Sequence, residues 1–122
     1  MKQWHGLVTL SSPVGAVTPV CPEGMYFNVK GASNLIIGME AISVSGTPTV
    51  KYETAFVPAA TGDWATIVGT TPITAPASMI VSEISWDAAS MARPRIWLRW
   101  EISLAAGDAV TFRTFVLAKQ GG

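Results

Sequence analysis

Alternation with a period of two, broken at short intervals by Gly and Pro, most limits what this chain can fold into. Between Thr49 and Val57, Val50, Tyr52, Thr54 and Phe56 fall on one side of an extended chain, and Lys51, Glu53 and Ala55 on the other. A strand points successive side chains to opposite faces, so this pattern buries one face and wets the other. Periodicity of 3.6 is almost absent. Gly and Pro together make up 19 of 122 residues and are spread along the whole chain. Short strands separated in this way form a sandwich or barrel.

Strands are predicted over Trp4–Leu10, Met25–Lys30, Leu35–Ser45, Thr49–Val57, Trp64–Val68, Ser78–Trp86, Ile96–Leu104 and Ala109–Lys119. The stretch SSPVGAVTPVCPEG between the first two can supply only a short edge strand near Val17–Cys21, because proline removes ladder donors. Leu35–Ser45 is apolar on both sides, as expected of a central strand covered on both faces. SGTP at 45–48, ATGD at 60–63 and GTTPITAPA at 69–77 read as turns and a loop. DAASMA at 87–92 reads as a turn or a single helical turn. The expectation is one all-β domain over 1–122: an antiparallel sandwich, jelly-roll-like, with about eight strands and no substantial helix. Residues 1–24 would form a partly extended N-terminal arm. Alternation leaves open whether the strand order is a true jelly roll or a simpler meander.

The bulk numbers exclude several functions. Charged residues are 13% of the chain, eight basic against eight acidic, where typical soluble domains carry about 25%. The balance argues against sequence-independent nucleic-acid binding, which needs a basic excess. A surface so poor in charge favours association. One cysteine, Cys21, excludes an internal disulfide. No signal-peptide pattern opens the chain, and the longest apolar run, Leu35–Ile37, is far too short for a membrane helix. No membrane partner is expected, and synthesis in a cytoplasm is.

The segment RPRIWLRWEISL, 93–104, holds three of the four arginines and two of the five tryptophans. Alternation divides it. Ile96, Leu98, Trp100, Ile102 and Leu104 share a core face; Arg95, Trp97, Arg99, Glu101 and Ser103 share the other. In Ala109–Lys119, Val110, Phe112, Thr114 and Val116 oppose Thr111, Arg113, Phe115, Leu117 and Lys119. Joined by Ala105–Ala109 as a hairpin, the arms would pair Leu104 with Val110, Ile102 with Phe112 and Glu101 with Arg113. A register two residues away would set Arg99 against Arg113, and like charges directly opposite repel. The outer face then gathers Arg95, Trp97, Arg99, Arg113 and Phe115, the residue types enriched at protein interfaces. The competing reading is that the protein covers this face itself, with arginine stems packed on Trp97.

Catalytic chemistry finds little support. Cys21 and His5 could form a nucleophile and base only if the fold brought them together, and a lone cysteine is usually a small buried apolar residue. With one histidine, a His-based zinc site is not expected. Asp63, Asp87 and Asp108 fall in turns, where Asp bonds its own backbone. Glu40, Glu53, Glu83 and Glu101 are scattered over strands. No cofactor and no metal is expected. Trp64 and Trp86, at strand ends, would plug the core or, exposed at a rim, stack on sugars.

From residue 35 onward the order of features resembles small β-sandwich virion proteins of tailed phages and prophages. The resemblance rests on LIIGMEAISVSGTPTVKYETA, TGDW, PITAPA and RPRIWLRWEISLAAGDAVTFRTFVLA. It shares a long strand, an SGTPT-like turn, a TVxYET-like strand, a turn carrying G-D and Trp, and an arginine-rich strand followed by an aromatic one. Here Gly62-Asp63-Trp64 brings the Trp earlier than that layout has it. The likeness covers roughly 35–119, and its motifs are structural rather than catalytic. It implies a capsid decoration or cement protein on the outer face of a virion. Its partners would be the major capsid protein and copies of itself, commonly in a trimer. Trp4 and His5, on the N-terminal arm, would reach a neighbouring subunit. A carbohydrate- or host-binding module, or a tail or neck subunit, is the alternative.

Overall fold

The computed structural model describes residues 2–4, 6–30, 32–55, 64–73, 77–85 and 96–120. Nine strands run through them: β1 Lys2–Trp4, β2 Val8–Ser11, β3 Phe27–Asn28, β4 Ala32–Ser45, β5 Thr49–Ala55, β6 Ala65–Pro72, β7 Ala77–Ser85, β8 Trp97–Ser103 and β9 Ala109–Gln120. One 3-10 turn, Glu23–Met25, precedes β3. All strand pairs are antiparallel. One sheet has the order β1–β9–β4–β7, with β2 following β1 along the same edge of β9; the other has the order β3–β8–β5–β6. With β1 and β2 taken as one interrupted strand, these are the two four-stranded sheets of a jelly roll. The sandwich expected from alternation is therefore present, and the strand order settles its topology.

The closing hairpin is not. β8 pairs with β3 and β5, and β9 pairs with β1, β2 and β4, so the two arms lie in different sheets. Ile102 faces Val50 and Glu101 faces Lys51. Phe112 faces Ala41, and Arg113 faces Glu40. The physical reason is burial. Each arm has one strongly apolar face, and a hairpin would set both on the same side of one sheet, still needing a cover. Placed in opposite sheets, they cover each other. Leu98, Trp100, Ile102 and Leu104 from one side and Val110, Phe112 and Val116 from the other are each at most 2% exposed. Trp100 and Phe112 meet edge to face across the core, with centroids 5.3 Å apart and planes at 85°, a geometry that adds to area burial.

One polar link crosses the interior. The Thr114 hydroxyl donates to the Gly38 carbonyl at 2.7 Å and meets the Tyr52 hydroxyl at 2.9 Å. Thr114 has one hydroxyl proton and gives it to Gly38, so Tyr52 is the donor in the second bond. The Trp100 indole nitrogen, by contrast, has no hydrogen-bond partner among the described residues.

The prolines of 13–22 act as the sequence suggests. Val17 and Val20 form single bridges to Leu104 and Glu101, and the Pro19 carbonyl accepts from Ile102 at 2.9 Å. This segment lies along the edge of β8 ahead of β3. Where Met25–Lys30 is predicted as one strand, only Phe27–Asn28 is. At the far edge, β6 slips register twice against β5, around Tyr52; irregularities of this kind disfavour pairing with a further chain. β6 also extends to Pro72, into what alternation assigns to a loop. β4 is central, between β9 and β7, but not covered on both faces: Ile42, at a register shift against β9, is 48% exposed.

Candidate functional site

Because β8 and β9 lie in different sheets, the proposed arginine stripe is divided between opposite outer faces. On the outer face of the β8 sheet, Trp97, Arg99 and Glu101 alternate with buried Leu98, Trp100 and Ile102. The register sets Glu53 opposite Arg99 and Glu101 opposite Lys51. Arg99 donates to one Glu53 oxygen through Nε at 3.0 Å and through Nη2 at 3.0 Å. Lys51 Nζ lies 3.6 Å from Glu101 and 3.9 Å from the second oxygen of Glu53. Two cations and two anions thus run Arg99, Glu53, Lys51, Glu101, with charges that cancel.

A lid of aromatic rings closes one end of this ladder. The Arg99 guanidinium carbon sits 4.0 Å from the centroid of Trp64, within cation–π range. Tyr26 meets Trp64 edge to face at 5.1 Å. The Glu53 side chain is left 9% exposed and that of Arg99 16%. The protein covers this part of the stripe itself, as one reading of the sequence has it, but with Trp64 rather than Trp97. Trp64 therefore neither plugs the core nor stands free at the rim.

The outer face of the β9 sheet is more open. Arg113 Nη2 reaches the two Glu40 oxygens at 3.1 and 3.2 Å, and the side chains are 45% and 27% exposed. Thr9 and Thr111 hydroxyls meet at 3.0 Å. Phe115, predicted at the interface, keeps its outward position but is buried, opposite Gly38 and the backbone of Trp4. His5 and Arg95 lie outside the described residues, as do Asp63, Trp86 and 87–92.

Cys21 is buried, and its amide donates to the Trp100 carbonyl at 2.9 Å. Burial pushes its thiol up to about 11, so it stays protonated and is a poor nucleophile. Burial also raises the Tyr52 phenol, against the lowering effect of its Thr114 bond. Among the described residues, no three His, Cys, Asp or Glu side chains gather as a metal site would require. No helix among them is long and apolar enough to cross a membrane.

Sequence reasoning placed Asp108 in a turn and missed its reach to other loops. Asp108 bonds its own turn, as expected, through the Ala105 amide at 2.9 Å. Its other oxygen accepts from the Thr47 amide at 3.2 Å. Its backbone carbonyl takes the Ser12 amide at 3.0 Å, and Gly107 donates to the Ser12 carbonyl at 2.7 Å. Three loops distant in sequence are thereby tied at one end of the sandwich. A side chain at Gly46 would overlap the Asp108 carboxylate, and Gly46 has φ +82. Glycine is required there twice over, by space and by conformation.

Large exposed apolar side chains concentrate in the N-terminal segment: Leu7 at 62%, Val14 at 87%, Val17 at 43% and Val20 at 41%. Ile42 and Leu117 lie elsewhere, on the outer side of the β9 sheet.

No family model matches the chain, and no curated protein matches it. Among solved structures, a chain from the disulfide-linked pili of Bacillus endospore appendages aligns over 99% of this chain and 88% of its own length. The two are 13% identical, with a TM-score of 0.47.

Proposed function

We propose that this chain is a non-enzymatic structural subunit of a tailed-phage virion. In this reading it is a decoration or cement protein that binds the outer capsid lattice as a homo-oligomer and stiffens it through contacts between subunits. The observation that carries it is the run of exposed aliphatic side chains at Leu7, Val14, Val17 and Val20. Apolar surface concentrated in one segment marks contact with another protein.

Three features agree. The cations Arg99, Lys51 and Arg113 each meet a carboxylate of the same chain, so these three do not form an unneutralised stripe of the kind that binds nucleic acid. Cys21 is held protonated inside the core. The order of turns and strands from residue 35 resembles phage virion proteins. The sugar-binding alternative needs a bare indole face at the rim, which Trp64, packed against Arg99 and Tyr26, does not offer; Trp86 lies outside the described residues.

Mixing the purified protein with capsids that lack it, followed by sedimentation, tests the reading. Saturable binding at a fixed ratio to coat subunits is expected. Absence of any bound protein, with the fold intact, would contradict it.

A further inference from the structure

Among the described residues, the two ends of the sandwich differ in charge. At one end, Val29 donates to Ile96 at 2.8 Å and Ile96 donates to Ala55 at 3.1 Å, which brings together the termini of β3, β5 and β8. Exposed Lys30 lies there. At the other end stand the loops tied through Asp108. The exposed residues 13–16, 45–47 and 105–107 are ten in number, and none is charged. The one charged side chain of these loops, Asp108, is buried and bonded to backbone amides. Each loop carries one positive-φ glycine, Gly15, Gly46 or Gly107. Val14, at the tip of the first, is 87% exposed. The loop that displays it is fixed at both ends, by Ser12 to the turn after β8 and by Val17 to Leu104 at 2.9 Å.

We infer that this uncharged, hydrogen-bonded loop end is the surface through which the chain stands on the capsid shell, with Val14 as its central apolar contact. The inference rests on the capsid reading above. Docking here strips water from no charged group of this chain and so avoids the large cost of burying an unpaired charge. The loops are already ordered, so little further entropy is lost on contact.

The size of the end selects its occupant. Ten exposed residues fall well short of the roughly 20–30 per side of a stable pairwise interface, so two copies meeting end to end would not hold. A shell presents many equivalent sites, and an oligomer standing on it adds weak contacts into firm attachment. The partner surface is accordingly an uncharged depression repeated over the lattice.

Co-sedimentation with capsids lacking the protein tests this, using wild type, V14E, A106E and T66K, each confirmed folded by near-ultraviolet circular dichroism. V14E and A106E are expected to weaken binding by about tenfold or more, the effect of roughly 1.4 kcal/mol. T66K, on the β6 edge opposite Glu53, should bind as wild type does. All four should share one oligomeric state in analytical ultracentrifugation. Undiminished binding of V14E and A106E would overturn the docking surface and leave the capsid reading standing. Equal loss in T66K, or dissociation of the oligomer by V14E, would also overturn it. Failure of the wild type to bind would overturn both.

Discussion

The two outer faces of the sandwich carry the same kind of cross-strand arginine–glutamate pair in different surroundings. On the β8 sheet, Glu53 answers both Arg99 and Lys51, and Trp64 lies against the guanidinium. On the β9 sheet, Arg113 and Glu40 pair with side chains 45% and 27% exposed. The first pair is part of a covered network whose members lean on one another. The second is an ordinary surface ion pair, held in water and screened by salt. Charge chemistry alone does not distinguish them; the ring above one of them does.

The sharpest way to break the comparison is to remove each anion. Glu53→Ala strands Arg99 under partial cover, leaves Lys51 with Glu101, and is expected to cost about 2–3 kcal/mol, as for hydrogen bonds to charged groups. Glu40→Ala should cost under about 1 kcal/mol. Urea denaturation of the two variants measures both, and equal losses would erase the distinction. Next in size is the lid. Trp64→Ala removes a cation–π contact and an aromatic edge contact, for an expected loss of about 1–2 kcal/mol. In that background, the cost of Glu53→Ala should fall toward that of Glu40→Ala, which a double-mutant cycle reads directly.

Alkaline titration separates interior from surface. The Cys21 thiol is raised from 9.0 to about 11, so between those values the unfolded chain loses its proton while the folded one keeps it. The contribution is fully present below pH 9 and is lost as pH rises toward 11. Wild type should lose stability across that window, and Cys21→Ala should lose less. The smallest effect is that of salt. In 1 M NaCl, where the screening length falls to about 3 Å, the Arg113–Glu40 contribution should vanish within error. Most of the Glu53 contribution should persist.

How much of this was legible in the sequence follows from what alternation encodes. Period two assigned faces correctly along β5, β8 and β9, because the pleat itself fixes the side to which each residue points. It carries no information about which strand lies alongside. Nothing local tells β8 that its neighbour is β5 rather than β9, so alternation puts on one face arginines that occupy two. Trp64 was unreadable for a related reason. It reaches Arg99 only because β5 lies between β8 and β6, a consequence of sheet order. The turns at SGTP and AAGD were plain from their residues. That one carboxylate, Asp108, would join them was not, since Thr47 lies 61 residues away. Buried Phe115 shows the same limit, for its outward parity was right and its cover was invisible.

Electron microscopy of the particle in which this chain is proposed to sit, a tailed-phage virion, tests the proposed role most directly. The expected result is jelly-roll density on the outer capsid surface, standing with the loops at 12–16, 45–48 and 105–108 toward the shell. Density for this chain in the tail or neck, or none on the capsid, would contradict it.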